Sequence, residues 1–174
     1  MKTVEDYIRT IPNFPKEGIM FRDITTVLQD ADGFRLAVDE MTNLIKDEEV
    51  DVIVGAESRG FMFGCPMAYN LHKSFVPIRK KGKLPCETIS EEYALEYGTA
   101  TIEIHKDAIR PGQKVVIVDD LLATGGTLEA MIKLVERLGG EVVSSVFLIE
   151  LEGLNARAKM PDRKIESVIK YPGA

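Results

Sequence analysis

Apolar residues recur at helical spacing in two stretches of the chain, and a third stretch is apolar on all sides. The first helix is predicted over 34–45, on the positions Phe34, Ala37, Val38, Met41, Leu44 and Ile45. The second is predicted over 128–138, on Leu128, Met131, Ile132, Val135 and Leu138, and Gly139 is placed to end it. Between Phe61 and Leu71 the more uniform apolar character predicts a helix that is largely buried.

Short apolar runs rich in β-branched residues lie between these helices and predict strands. They are 52–54, 75–78, 115–118 and 142–149. Such runs suit strands covered on both faces, and their alternation with helices predicts an α/β fold with a central parallel sheet. A further strand is expected near 165–169. Another is expected over 100–105, where apolar and polar residues alternate as in a half-exposed antiparallel strand.

The stretch from Lys80 to Gly98 is interpreted as a long loop or a flexible hairpin. A loop of this length inside a compact domain is usually a functional lid or disordered, so we expect a lid over about 80–100. The chain has 174 residues and no repeat, low-complexity tract or linker, which predicts a single domain over 1–174. No function is assigned to the segment 157–174.

Composition and charge narrow the class of protein. With 45% hydrophobic and 29% charged residues the chain is typical of a globular protein, and its net charge of −6 argues against binding to nucleic acid or to an anionic membrane. No apolar stretch reaches membrane-spanning length, and the first ten residues carry Glu5 and Asp6. We therefore expect no membrane span, no signal peptide and a cytoplasmic location. The scattered cysteines and histidines do not form a zinc site; they are Cys65, Cys86, His72 and His105.

The run VVIVDDLLATGGT over 115–127 carries the strongest chemical signal. A buried strand delivers Asp119 and Asp120 to its carboxyl edge, where open α/β sheets bind ligands. The turn 124–127 then opens a helix, and its glycines, backbone N–H groups, threonine hydroxyls and helix dipole favour a phosphate. Carboxylates would repel a phosphate but accept hydrogen bonds from a ribose, so the run predicts a site for ribose 5-phosphate.

Two more segments begin where predicted strands end. Gly55–Gly60 precedes a helix and offers a second anion-binding turn containing Arg59; the alternative is a plain turn with Arg59 paired to a surface acid. The basic run 79–83 can bind an anion at the same edge, although such runs are usually solvated faces or nuclear-localisation signals. The run 115–127 also has a plain alternative, a strand, an acidic turn and a capped helix, and it matches neither the P-loop nor the Rossmann fingerprint.

The run 115–127 resembles the phosphoribosyl pyrophosphate-binding motif of the type I phosphoribosyltransferases. Four other segments are similar to the adenine-specific branch of that family, namely FRDIT at 21–25, ESRGF at 57–61, RKKGKLP at 79–85 and LEYG at 95–98. The resemblance implies a single α/β domain with a parallel sheet flanked by helices, a lid, and a small N-terminal hood over about 1–33. It also implies transfer of the phosphoribosyl group from phosphoribosyl pyrophosphate to adenine, which gives AMP and pyrophosphate in purine salvage.

The same resemblance implies the residues that bind the phosphoribosyl donor. The expected ligands of the ribose 5-phosphate are Asp119, Asp120, Ala123, Thr124, Gly125, Gly126 and Thr127. The expected ligands of the pyrophosphate are Glu57, Ser58, Arg59, Arg79, Lys80 and Lys83. Lys81 is the basic residue expected to be solvated, and the loop around Ser58 often contains a strained peptide bond in this family.

For the base and the chemistry, the resemblance implies a second set. Adenine is expected to stack on Phe21, with Leu151 or a neighbour on its other face and the backbone around Met20 and Arg22 at its edges. Glu96 is expected to act as acid/base towards the purine, Tyr97 to close over the reacting centre, and Arg59 to face the anion as a third catalytic residue. On plain grounds Phe21 would be a core residue, and Glu96 and Tyr97 would be surface residues of a loop.

Cofactor and partners follow from the same family. Mg²⁺ is expected to be bound mainly through the substrate, so no protein metal ligand is named, and the protein is expected to be a homodimer. A redox role for Cys86 is a minor alternative interpretation. Three alternative functions stay open: turnover of another purine base, a non-catalytic regulator that senses phosphoribosyl pyrophosphate, and a flavodoxin-like binding module. The net charge of −6 and the lack of a spare domain argue against the regulator.

Overall fold

The structure, a computed structural model, describes residues 1–95 and 97–173. The strands are β1 (Arg9–Pro12), β2 (Met20–Asp23), β3 (Val52–Ala56), β4 (Ser74–Lys80), β5 (Thr88–Ala94), β6 (Thr99–His105), β7 (Lys114–Leu122), β8 (Glu141–Leu151) and β9 (Ile165–Tyr171). The helices are α1 (Thr25–Leu28), α2 (Ala31–Asn43), α3 (Arg59–Leu71), α4 (Gly126–Arg137) and α5 (Ala156–Lys159). Short 3-10 turns at Val4–Tyr7 and Glu152–Leu154 precede β1 and α5.

Seven strands form one sheet in the order β5-β6-β4-β3-β7-β8-β9. The five strands from β4 to β9 in that order are parallel, whereas β6 and β5 are antiparallel at one edge. The predicted fold class, an α/β domain with a mostly parallel sheet flanked by helices, is therefore confirmed. The antiparallel pair of β1 and β2 stands apart from this sheet and was not predicted from the sequence.

Alternate residues of the central strands are buried on opposite faces of the sheet, because strand side chains alternate in direction. Val52 and Val54 join a core cluster with residues of α4, while Ile53 between them joins a second cluster with residues of α2 and α3. This double burial confirms the prediction of strands covered on both faces. No described helix has both the length and the apolar character needed to span a membrane.

The helix α3 forms where it was predicted, but the prediction that it is largely buried was wrong. Phe63 and Met67 pack into the core, whereas Met62, Cys65 and Tyr69 are exposed and Tyr69 retains 87% of its accessible surface. The reason is that α3 contacts the sheet with only one of its faces, and the sequence cannot show that the described residues 1–95 and 97–173 leave the other apolar face uncovered.

The sequence left two alternatives for the stretch 80–98, a long loop or a hairpin, and its described residues form the hairpin. Its second half is the strand β5, which pairs with β6 along seven consecutive residue pairs from Thr88 to Ala94. The strand predicted over 100–105 is antiparallel as expected, but it is not half-exposed, since β6 lies between β5 and β4 and Glu103 is buried. The strand predicted near 165–169 is the parallel edge strand β9.

The topology places a crevice at the carboxyl ends of β3 and β7. From β3 the chain moves through α3 to β4 on one side, and from β7 it moves through α4 to β8 on the other side. The two helices consequently cover opposite faces of the sheet. Open α/β sheets bind ligands at such a switch in direction, outside the carboxyl ends of the strands.

Candidate active site

Two helices that begin at this crevice lack the side-chain cap that α2 has. At the start of α2 the Asp30 carboxylate accepts hydrogen bonds from the backbone N–H groups of Asp32 and Gly33, at 3.0 and 2.9 Å. The residues in the same position before α3 and α4, Ser58 and Gly125, make no such bond. The first N–H groups of these two helices, with the positive ends of their dipoles, are therefore left to an anion.

The turn before α4 is held in place by its own backbone and by α5. Gly125 has φ +91°, and a Cβ atom there would meet Met160 Cε at 2.9 Å and Ala156 Cβ at 3.2 Å. Only glycine satisfies both conditions without strain. From α5 the Lys159 ammonium also donates a hydrogen bond to the carbonyl of Thr124 at 3.0 Å. Part of the segment 157–174 thus supports the turn 124–127, which is called the phosphate turn after its predicted ligand, and the sequence did not indicate this support.

The acidic pair lies against the start of α3. Asp120 is buried, and its Oδ2 lies 2.9 Å from Arg59 Nε, so Arg59 pairs with a predicted ribose ligand and not with a surface acid. The backbone N–H of Asp120 donates to Asp119 Oδ1 at 2.9 Å. Burial, and next the charge of Asp120, raise the pKa of Asp119 well above its ordinary value, and the Arg59 charge opposes this.

Gly60 allows α3 to approach the acidic pair this closely. A Cβ atom at Gly60 would lie 3.0 Å from the carbonyl oxygen of Val118 and 3.1 Å from Asp119 Oδ1. A cavity of about 220 Å³ lies between the start of α3 and the turn before α4. It is lined by Arg59, by both acids and by the residues of the turn as far as Leu128. It therefore brings together the whole set predicted for ribose 5-phosphate, namely Asp119, Asp120, Ala123, Thr124, Gly125, Gly126 and Thr127.

A second cavity, of about 570 Å³, is bounded by the ends of β3 and β4 and by the β5–β6 hairpin. Its wall includes Glu57, Lys80 and also Lys81, which was expected to be solvated, as well as Thr127 from the phosphate turn. Since Thr127 lines both cavities, they adjoin each other at this residue. Lys83 is exposed and lies at the end of the turn that follows β4.

Glu57 ties β3 to β4 at this edge. Its Oε1 atom accepts a hydrogen bond from the backbone N–H of Lys80 at 2.7 Å and lies 3.4 Å from Arg79 Nε. The peptide bond between Glu57 and Ser58 is cis. The predicted pyrophosphate residues Glu57, Ser58, Arg59, Arg79 and Lys80 are thus gathered at the ends of two adjacent strands.

In the hood, Arg22 connects β2 to the main sheet. Its guanidinium carbon lies 3.8 Å from the ring centroid of Tyr171, and its Nη1 donates to Thr10 Oγ1 at 2.7 Å. Tyr171 is paired with Leu151 across β8 and β9. The structure therefore brings together Arg22 and Leu151, both predicted for the base, through a tyrosine that the sequence did not mark.

Of the other residues predicted for the base and the chemistry, Met20 and Phe21 lie in the hood, and Tyr97 lies between β5 and β6. Phe21 packs edge-on against Phe14 with ring centroids 5.1 Å apart, and Met20 beside it is exposed. Tyr97 is 78% exposed, and Lys16 Nζ from the hood lies 5.3 Å from its ring centroid. Hood and hairpin thus approach each other at Tyr97. Glu96, the predicted acid/base, lies outside the described residues.

Comparison with known proteins shows to which family the chain with this site belongs. A family model for the phosphoribosyl transferase domain matches residues 26–172. An adenine phosphoribosyltransferase of Lachnoclostridium phytofermentans is 65% identical, over 99% of each chain. The chain belongs to the adenine phosphoribosyltransferase family.

Solved structures of adenine phosphoribosyltransferases share its fold. The enzyme of Thermoanaerobacter pseudethanolicus has a TM-score of 0.93 at 54% identity, with 97% of this chain and 98% of that chain covered. The enzyme of Saccharomyces cerevisiae, solved in complex with adenine and a dideoxy-imino-altritol bisphosphate, has a TM-score of 0.89 at 38% identity, with 95% and 96% covered.

Within the described part of this member of the adenine phosphoribosyltransferase family, no group of three or more His, Cys, Asp or Glu residues could hold a metal ion. Cys65 and Cys86 are free and exposed. Cys65 lies on the exposed face of α3, and Cys86 lies in the chain between β4 and β5. Neither cysteine contributes to the two cavities at the carboxyl edge of the sheet.

Proposed function

We propose that the protein transfers the 5-phosphoribosyl group of phosphoribosyl pyrophosphate to adenine, forming AMP and releasing pyrophosphate. The observation that carries this proposal is the acidic pair of Asp119 and the buried Asp120, followed by an uncapped helix start, which lie together at the switch point of the sheet. The choice of adenine as the base, and of this reaction, rests on the similarity to an adenine phosphoribosyltransferase that is 65% identical over nearly the whole chain.

The phosphoribosyl half binds in the smaller cavity. The 5-phosphate caps α4, accepting hydrogen bonds from the N–H groups of the turn 124–127 and from the hydroxyls of Thr124 and Thr127. The ribose hydroxyls donate to Asp119 and Asp120. Arg59 lies 2.9 Å from Asp120 and partly neutralises the charge of this pair. The two carboxylates can therefore lie close to a polyanionic substrate.

The pyrophosphate binds at the start of α3 and at the basic run. The N–H groups of Ser58 and Arg59 and the cations of Arg79, Lys80 and Lys83 stabilise the negative charge that grows on this group as its bond to the sugar breaks. Glu57 acts on the pyrophosphate indirectly, because its carboxylate accepts from Lys80 N at 2.7 Å and lies beside Arg79. A carboxylate directly on the pyrophosphate would repel it.

Mg²⁺ enters with the substrate in this proposal. Such an ion would keep water and substrate oxygens as most of its ligands. Asp119 and Asp120 would hold such an ion through the ribose hydroxyls. When bound, it supplies positive charge to the leaving pyrophosphate.

Adenine binds between the hood and the carboxyl edge of β8. Phe21 stacks on one face, Leu151 covers the other, and the backbone at Met20 and Arg22 reads the ring edge. The base attacks the anomeric carbon through N9, and Glu96 takes up the proton that the base loses. Tyr97 closes over the centre from the hairpin turn, which excludes water that would hydrolyse the activated sugar.

A second copy of the chain covers the exposed face of α3 in this proposal. Met62, Cys65 and Tyr69 lie on this face and would otherwise expose apolar surface to solvent. Light scattering of the wild type should give the mass of a dimer, and Tyr69→Asp should shift it towards a monomer. A monomeric wild type would remove this part of the proposal. A cytoplasmic location stays a prediction.

Formation of AMP from adenine, phosphoribosyl pyrophosphate and Mg²⁺ tests the function. Asp119→Asn should lower kcat/KM by up to about 100-fold, since it removes the charge from a group that accepts from the ribose. Asp47→Asn, at an exposed position, should act as the wild type. Because burial raises the pKa of Asp119, its ionisation opposes folding as pH rises, so the Asn variant should unfold at the same or a higher temperature. No turnover with any base, despite tight binding of phosphoribosyl pyrophosphate, would instead indicate a sensor.

A further inference from the structure

Tyr93 on the strand β5 contacts the phosphate turn through its hydroxyl. The Tyr93 and Thr127 hydroxyl oxygens lie 3.2 Å apart, within hydrogen-bonding distance. The Tyr93 ring is partly buried against the core cluster that contains α4, and a Cβ atom on Gly126 would lie 3.6 Å from it. The phenol is therefore held against the first turn of the helix that the 5-phosphate is proposed to cap.

The hairpin that carries Tyr93 is fastened to α4 at a second point. At the other end of that helix Arg137 Nη1 donates to the carbonyl of Ser90 at 2.6 Å and to Glu91 Oε1 at 3.1 Å. With one contact at each end of α4, β5 runs alongside the helix, and the position of the Tyr93 hydroxyl is fixed by the backbone.

The chemistry of the two hydroxyls assigns a direction to this bond when a phosphate is present. A hydroxyl donates one hydrogen bond and accepts two, whereas a phosphate dianion only accepts. Thr127 must then use its single proton for the phosphate, and Tyr93 must donate to Thr127 Oγ1. The pair forms a short chain, phenol to threonine to phosphate, in which each bond polarises and strengthens the next.

We propose that Tyr93 is a positioning residue that orients the Thr127 hydroxyl towards the 5-phosphate. The inference rests on the proposed function, because it requires a phosphate at the start of α4. Tyr93 is expected to affect the two anionic ends of the donor, the 5-phosphate and the pyrophosphate, differently. The Tyr93 ring also lines the second cavity, beside Glu57 and Lys80. Its hydroxyl, however, contacts Thr127, so loss of the hydroxyl is expected to weaken ligands that carry a 5-phosphate and to leave the affinity for free pyrophosphate, which binds at the start of α3, unchanged.

Tyr93→Phe tests the proposal, since it keeps the packed ring and removes only the hydroxyl. Calorimetry should show AMP and ribose 5-phosphate binding about fivefold more weakly, the loss expected for one neutral hydrogen bond. Affinity for pyrophosphate and KM for adenine should stay at the wild-type values. Tyr7→Phe, which removes a tyrosine hydroxyl outside both cavities, is the matched control.

A double-mutant cycle with Thr127→Val distinguishes positioning from packing. If Tyr93 acts through Thr127, the double variant should bind AMP no more weakly than Thr127→Val alone, because the Tyr93 proton then has no relay to serve. Multiplying effects, or an unchanged AMP affinity in Tyr93→Phe, would overturn the inference. A wild type that does not bind AMP at all would overturn the proposed function instead.

Discussion

The phosphate turn at 124–127 and the hood at 1–33 lie at the same edge of the molecule but are held in different ways. The turn owes its shape to local backbone geometry, above all the positive φ of Gly125 and the uncapped start of α4. The hood is joined to the main sheet by contacts between residues far apart in the chain, such as Arg22 with Tyr171. The comparison teaches that the turn proposed to bind the 5-phosphate takes its shape mainly from local geometry, with added support from α5, whereas the region proposed for the base depends on docking of a separate element.

The largest effect that this difference predicts is at Gly125. Gly125→Val places a side chain at φ +91°, where its Cβ would lie 3.2 Å from Ala156 Cβ and 2.9 Å from Met160 Cε. The tip of Met160 can shift, but the backbone strain and the contact with Ala156 displace the turn. Displacement of a reacting group by about 1 Å can reduce a rate by about 100-fold, and kcat/KM for AMP formation should fall at least that far. Steady-state kinetics with phosphoribosyl pyrophosphate as the varied substrate measure it.

Gly112→Val provides the matched control for that variant. Gly112 has φ +86°, and a Cβ atom there meets nothing within 4 Å, so the substitution carries similar backbone strain without the clash. Its unfolding temperature should fall while kcat/KM stays near the wild-type value. Equal losses of activity in the two variants would contradict the claim that the position of the turn, and not general strain, limits catalysis.

An intermediate effect is predicted at the hood. Tyr171→Ala removes the ring under the Arg22 guanidinium, and KM for adenine should rise about tenfold, the equivalent of a partly desolvated cation–π contact. KM for phosphoribosyl pyrophosphate should change little, since the phosphate turn does not depend on the hood. Tyr171→Phe keeps the ring and should restore adenine binding. Equal increases in both KM values would show that the two regions are not independent.

The smallest effect concerns the stability of the hood. Hydrogen bonds from Thr25, and next from Arg9, lower the pKa of Asp23 from 3.8 to about 2. A lowered pKa stabilises the folded state fully above about pH 4, and this contribution is lost as pH falls towards 2. Asp23→Asn should unfold about 2–4 °C lower at neutral pH, with the difference shrinking in acid.

Thermal unfolding followed by circular dichroism between neutral pH and pH 2 measures this difference. Asp47→Asn, at an exposed position, controls for the loss of one negative charge. A gap between the wild type and Asp23→Asn that stays constant through the acid range would mean that the carboxylate is not stabilised by its neighbours in the hood.

The parts of the fold that the sequence predicts are those set by local pattern. The β-branched runs at 52–54 and 115–118 became central strands, because a run without polar residues has no alternative to burial on both faces. The turn 124–127 was recognised because glycines directly before a helix commonly allow the backbone to approach an anion closely. The pair of β1 and β2 was missed, because four-residue strands carry too short an alternation to be distinguished from a loop.

The sequence was least informative where the site depends on contacts between distant segments. Nothing in the residues around Tyr171 or Lys159 indicates that they lie against Arg22 and Thr124. The exposed face of α3 was misjudged for a related reason: an apolar residue such as Met62 shows a preference for burial, but not whether its own chain provides the cover. Long-range partners of this kind are decided by topology, and the topology became visible only in the structure.

Competition between bases tests the central claim most directly. Adenine, hypoxanthine, guanine and xanthine are supplied together at equal concentration with phosphoribosyl pyrophosphate and Mg²⁺, and the nucleotides formed are separated by chromatography. The account predicts AMP as the product, with its share reduced in Tyr171→Ala as the hood loosens. A different nucleotide as the main product would contradict the assignment of the hood to adenine.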